Sequence, residues 1–145
     1  MKLYAASDFF NNLILETDKK SEITVYESFI AIISDLEERE FEEEELEDIE
    51  YNLDILELNS DPGNRKRFYK KSLSEFKKYL KDQFSLITDG YYTAIGLALG
   101  VAFGAAFSSV LDVGNSIVFG MLIGLAIGAS KDSQAKKEDR VLNTK

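Results

Sequence analysis

The 145-residue sequence contains no cysteine, no histidine, no tryptophan and a single proline, Pro62. Without cysteine there is no disulfide, no thiol chemistry and no lipoprotein-type acylation; without histidine the commonest general base and metal ligand is missing. Most familiar catalytic sets are thereby excluded, and the expectation is a protein that is not an enzyme. The start, MKLYAASDFF, has one lysine and an apolar stretch broken by Asp8, so it lacks the apolar core of a signal peptide. Charge is also missing by sign and by place. From 35 to 61 fourteen acidic residues meet one basic residue, Arg39, for a net of −13; from 65 to 81 eight basic residues meet one acid, Glu75, for +7.

The longest stretch poor in charge runs from Tyr91 to Ser130, YYTAIGLALGVAFGAAFSSVLDVGNSIVFGMLIGLAIGAS, with Asp112 as its one charged residue. A bilayer core about 30 Å thick takes about 20 apolar residues of helix, so the stretch suits two passes joined at Asp112, Gly114 and Asn115. The expected fold class is therefore all-α: a cytoplasmic helical bundle over 1–88, a transmembrane helical hairpin over 89–130, and a basic cytoplasmic tail over 131–145. With no signal peptide, the hairpin itself is the expected insertion signal.

Within the hairpin, small residues recur every fourth position. Gly96, Gly100 and Gly104, with Ser108 next in the row, form one zipper, and Gly120, Gly124 and Gly128 form another. In water each such glycine costs a helix roughly 1 kcal/mol against alanine. In lipid the helix persists, because unsatisfied backbone groups are so expensive there, and small residues let two backbones approach closely. A second small row, Ala94, Ala98, Ala102 and Ala106, is offset by two residues and so by about 200° around the helix. One side is expected to take the second pass, leaving the other to meet a neighbouring copy or lipid. A buried hairpin in a soluble protein is the competing reading, which the remaining chain is too short to serve.

Flanking lysines and arginines stay on the cytoplasmic side of a membrane. Upstream lie Arg65, Lys66, Arg67, Lys70, Lys71, Lys77, Lys78 and Lys81; downstream lie Lys131, Lys136, Lys137, Arg140 and Lys145. Both termini are thus expected in the cytoplasm, with the turn Asp112 to Ser116 outside. Lys70, Lys71, Lys77, Lys78, Lys81, Lys131, Lys136 and Lys137 become membrane-surface candidates, attracted to an anionic leaflet. Tyr91 and Tyr92 join them, because aromatic rings favour the headgroup boundary.

Four helices are expected before the hairpin. Leu3, Ala6, Phe10, Leu13 and Ile14 recur at helical spacing and predict a helix ending near Thr17. Thr24 and Glu27 form a T-x-x-E pattern that predicts the start of a second helix running to about Arg39. The third segment carries Leu46, Ile49, Leu53 and Leu56 on one stripe and Tyr51, Ile55 and Leu58 on another, and ends at NSDPGN. The fourth, from Arg65 to Ile87, places Tyr69, Leu73, Phe76, Leu80, Phe84 and Ile87 on one face. Asp89 is then a candidate cap for the first pass. The acidic third helix and the basic fourth either pair antiparallel or present separate solvated faces. If the basic helix chooses between its acidic neighbour and lipid, the bundle is a switch for the hairpin.

No motif for a cofactor or metal is present. The glutamates from Glu37 to Glu50 lack the ligand alternation and glycine of a calcium loop, and the glycines lie in apolar helices rather than between a strand and a helix. The basic helix interleaves Phe68, Tyr69, Phe76 and Tyr79 with lysine, but its aromatics suit a core and the net charge of −9 opposes nucleic acid. Asp112 reads as a turn residue, although an intramembrane acid is a functional candidate by default. Ser108, Ser109 and Ser116 either line a polar path or bond across the hairpin.

At GLALGVAFG and FGMLIGLAIGASKDSQAKKEDR the sequence resembles the small bacterial glycine-zipper membrane proteins, which pair such passes and often end in a lysine-rich tail. The resemblance covers roughly residues 90 to 142. It implies an architecture and a place in the bacterial inner membrane, and it carries over no catalytic or ligand residue. Glycine zippers serve channels, toxins, immunity partners and scaffolds alike. The expected function is a self-associating hairpin that alters membrane permeability under control of the helical module, with the lipid bilayer and further copies of the chain as partners. The alternative is an accessory or immunity-type binding protein packed against another membrane protein, its acidic helix docking a basic partner.

Overall fold

A computed structural model of the chain describes residues 1–60, 62–109 and 113–145. Among the described residues it is mostly helical, 77% helix with six α-helices, of which the last two pack as a hairpin. The chain divides into two compact units, one of residues 1–86 with 142–145 and one of residues 87–141.

In the first unit α1 (Leu3–Leu15), α2 (Lys20–Glu38), α3 (Glu43–Ile55) and α4 (Arg65–Phe84) surround one apolar core. Helix α1 packs on α2, α2 on α4, and α3 on α4. The stripe read from the sequence is the buried one in α1, where Leu3, Ala6, Phe10 and Leu13 face inward. Aromatic rings fill the centre: Phe10 stacks on Phe29 at 4.2 Å between centroids, and Tyr26 meets Tyr69 edge-on at 5.3 Å.

The ends of these helices depart from the sequence reading. Helix α2 starts four residues before Thr24, whose hydroxyl donates to the Lys20 carbonyl from inside the helix (2.9 Å), so Thr24 and Glu27 are not a capping box. An earlier cluster sets the start: the Thr17 hydroxyl (3.0 Å) and the Lys19 ammonium (3.2 Å) both donate to the buried Glu22 carboxylate. A cap that the sequence reading missed lies at Asn64, whose side chain accepts from the Arg67 N–H at 3.0 Å. Helix α4 stops at Phe84 because Ser85 turns left-handed (φ 57°) and Leu86 N–H bonds back to the Leu80 carbonyl. Ile87 therefore leaves the helical stripe.

The second unit holds β1 (Ile87–Thr88), α5 (Tyr91–Ala106), a 3-10 turn at Phe107–Ser109, α6 (Val113–Lys137) and the start of β2 (Val141–Leu142). The expected turn over Asp112 to Ser116 begins outside the described residues at Asp112, and Gly114, Asn115 and Ser116 belong to the first turn of α6. The expected tail divides likewise: 131–137 continues α6, and Ile87 N–H bonds the Arg140 carbonyl at 2.9 Å.

Candidate functional site

Helices α5 and α6 meet along their glycines. Gly96 faces Gly124, Gly100 faces Gly120, Gly104 faces Ser116, and Gly128 faces the backbone of Tyr92 and Thr93. Each of these pairings has residue numbers summing to 220 or 221, which is the signature of two antiparallel helices in one fixed register. A β-carbon on Gly104 would stand 2.7 Å from Ile117 Cα, and one on Gly128 would stand 2.6 Å from Thr93 Cα. Only glycine permits that approach. Ser116 completes the α6 row opposite Gly104 and is buried; its spacing of four before Gly120 was the available signal. Ser108 lies in the 3-10 turn, half-buried. The alanine row Ala94, Ala98, Ala102 and Ala106 is exposed on the other side of α5.

A carboxylate fixes the register at the other end. Asp132, buried in α6, accepts from the backbone N–H groups of Tyr92 (2.9 Å) and Thr93 (2.8 Å) through its two oxygens. Those are first-turn donors of α5 that its own helix leaves unsatisfied. Asp89 is not the cap. The N-cap position is Gly90, left-handed at φ 72°, and Asp89 instead pairs with Lys136 at 2.8 Å, which holds its carboxyl below the usual range. Lys131 stands 5.7 Å from the Tyr92 ring centre, and Tyr91 meets Tyr92 edge-on. The sequence candidates Tyr91, Tyr92, Lys131 and Lys136 are thus gathered at one end of the hairpin, around an aspartate that sequence reading passed over.

The outside of the hairpin is apolar. Twelve large side chains, Ile95, Leu97, Leu99, Val101, Phe103 and Phe107 with Val118, Phe119, Leu122, Ile123, Leu125 and Ile127, are more than a third exposed. Leu99 and Phe103 on α5, Phe107 in the 3-10 turn, and Phe119, Ile123 and Ile127 on α6 wall a groove of about 420 Å³ floored by the glycines. Gly114–Lys137 is long and apolar enough to cross a membrane, while α5, also apolar, has 16 residues.

In the first unit, Lys70, Lys71 and Lys78 of α4 are exposed, and Lys77 and Lys81 are partly covered. Burial pushes the Lys77 ammonium below its ordinary 10.5. The ion pairs of α4 include Arg65 with Glu16, Lys71 with Glu75 and Lys81 with Asp82; among the described residues no salt bridge joins α3 to α4. Nor, among the described residues, does any group of three acids converge to hold a metal ion. Asp112 lies outside the described residues. The chain finds no match among protein-family models, curated proteins or solved structures.

Proposed function

We propose that the chain is a non-enzymatic two-pass protein of the bacterial inner membrane, with both termini in the cytoplasm, whose hairpin self-associates and so alters membrane permeability under control of the helical module. The observation that carries this reading is the inverted surface of the hairpin. Its glycines face inward and are spent on the seam, while its bulky apolar residues face out. In water such a patch far exceeds what a soluble monomer exposes. Against lipid it costs nothing, and small-residue seams of this kind are how helices associate there.

Length supports two crossings. The 16 residues of α5 rise about 24 Å, and the three-residue 3-10 turn adds about 6 Å, which together match a hydrocarbon core of about 30 Å. Lysines and arginines flank the hairpin on the side of the termini alone, which favours the cytoplasmic orientation. The exposed alanine row leaves α5 a second smooth face for a neighbouring copy.

The test is the mass of the full chain in nanodiscs, by light scattering corrected for lipid, followed by dye release from liposomes. A discrete oligomer that releases dye supports the reading. A monomer that leaves vesicles tight defeats it, and a stoichiometric foreign subunit in a membrane pull-down favours the accessory-protein reading.

A further inference from the structure

Two faces of the first unit carry opposite charge, and among the described residues no salt bridge joins them. Helix α3 buries Leu53 and Ile49 and turns its other side to solvent, where Tyr51 (66% exposed) and Ile55 (58%) stand together. At about 100° per residue they lie within about 40° of each other, with Glu44 between them, Asp48 about 20° beyond Ile55, and Glu47, Asp54 and Glu43 within about 80° beyond Tyr51. Asp54 and Glu50 are answered by the amino terminus and Lys2. Glu43, Glu44, Glu47 and Asp48 have no ion pair among the described residues. An apolar centre ringed by charge has the anatomy of a protein interface, and a rim of this sign calls for a cationic partner.

The chain supplies one. On α4 the residues Lys66, Lys77, Lys70, Lys81, Ser74, Arg67, Lys78 and Lys71 fall in that angular order within an arc of about 140°, seven cations without an acid among them. Glu75 and Asp82 lie at its edge, and the buried stripe Tyr69, Leu73, Phe76 and Leu80 is centred about 120° away from its centre. Because α3 and α4 both spend their apolar stripes on the same core, the exposed parts of their charged faces point away from it. The acidic helix and the basic helix of one chain are neighbours that, among the described residues, share no ion pair.

We propose that a second copy of this chain lays the cationic face of its α4 across the acid-rimmed Tyr51–Ile55 face of α3. The lysine stems cover the two apolar side chains while their ammonium groups reach the glutamates around them. This deepens the self-association proposed above and rests on it only in requiring that copies meet. The contact is heterologous, so it propagates from copy to copy or closes by being made twice between two copies.

The experiment uses the full chain in nanodiscs and two charge-reversed variants. One is Glu44→Lys/Glu47→Lys/Asp48→Lys; the other is Lys70→Glu/Lys71→Glu/Lys78→Glu. All six residues are exposed, so circular dichroism should be unchanged. A zero-length carbodiimide links carboxylates to lysines in contact, and mixing isotope-labelled with unlabelled protein separates links between copies from links within one. The native chain should give α3–α4 links between copies that disappear in 1 M salt, where the screening length falls to about 3 Å. Each variant alone should lose them, since like charges then face each other. Co-reconstitution of the two should restore links, because each reversed face meets its complement on the other variant. Links within single copies only, or variants that link as well alone as together, overturn the proposal. Loss of these links in a chain that stays oligomeric overturns this contact and leaves the hairpin seam standing, whereas a monomer without links overturns both. Links that vanish only when anionic lipid is added assign the cationic face to the membrane, and the proposal then fails.

Discussion

Tyr26 and Tyr69 touch edge to face in the core of the first unit, yet their hydroxyls have different fates. The Tyr69 hydroxyl donates to the Leu58 carbonyl at 3.0 Å, while the Tyr26 hydroxyl is buried with no hydrogen-bond partner among the described residues. Burial of an unanswered polar group costs about 1–3 kcal/mol, and a satisfied hydrogen bond contributes about 1 kcal/mol net. Tyr26→Phe should therefore raise the urea midpoint, or leave it unchanged, and Tyr69→Phe should lower stability by about 1 kcal/mol or more, because the Leu58 carbonyl is left alone. A lowered midpoint for Tyr26→Phe would show that its hydroxyl finds a partner. Glu22 sets a pH dependence. Burial pushes its carboxyl up, but the hydrogen bonds from Thr17 and Lys19 outweigh this and hold it below the ordinary 4.5. A carboxylate depressed in the folded state stabilises above its unfolded value, and that contribution is lost as pH falls through the folded one. The stability difference between the native chain and Glu22→Gln should be constant above pH 4.5 and shrink as the medium is acidified below it. A difference independent of pH would show that Glu22 acts through packing alone.

Between elements, the hairpin separates packing within a chain from packing between chains. Gly100→Leu or Gly120→Leu drives a side chain into the facing backbone and should expose the amides of α5 to hydrogen exchange. Ala98→Leu lies on the exposed side and should leave that protection intact while reducing any oligomer built on the alanine row. If Gly120→Leu keeps native protection, the seam is not what holds α5 to α6. Asp132→Ala removes the carboxylate that accepts from the Tyr92 and Thr93 amides and should cost about 1–2 kcal/mol, as loss of a helix cap does, with exchange rising first at the start of α5. The seam was legible in the sequence, since a glycine every fourth residue states a face and an approach distance without further information. The buried stripes of α1 and α4 were legible for the same reason, as periodicity records what faces the core. Asp132 was not, because its partners are 39 and 40 residues away and nothing local distinguishes a carboxylate that caps another helix from one in a solvated tail. Thr24 misled because the pattern T-x-x-E also occurs inside helices, and what moved the start of α2 was the Thr17, Lys19 and Glu22 cluster upstream. Tyr51, Ile55 and Leu58 share a second apolar stripe in the sequence, but Tyr51 and Ile55 stand exposed on α3 while Leu58 is buried beyond the end of the helix.

For the whole molecule the proposal fixes a parity. A hairpin that crosses twice returns the chain to the side from which it entered, so the first unit and the end of the chain lie together and the α5–α6 turn lies opposite. The single candidate span Gly114–Lys137, crossing alone with α5 lying on the surface, puts them on opposite sides instead. The absence of cysteine makes the distinction direct, because any thiol introduced is the only one present. Ser60→Cys lies in the first unit, Asn115→Cys at the start of α6 and Asn143→Cys near the end of the chain, and all three native side chains are exposed. In sealed inner-membrane vesicles of known orientation, a membrane-impermeant maleimide should label Ser60→Cys and Asn143→Cys from the cytoplasmic side and Asn115→Cys from the other. Labelling of Ser60→Cys and Asn143→Cys on opposite sides would mean one crossing. The exposed apolar side chains of α5, Ile95, Leu97, Leu99, Val101 and Phe103, would then need a cover other than the bilayer core, and a partner helix on that face would become the simplest one.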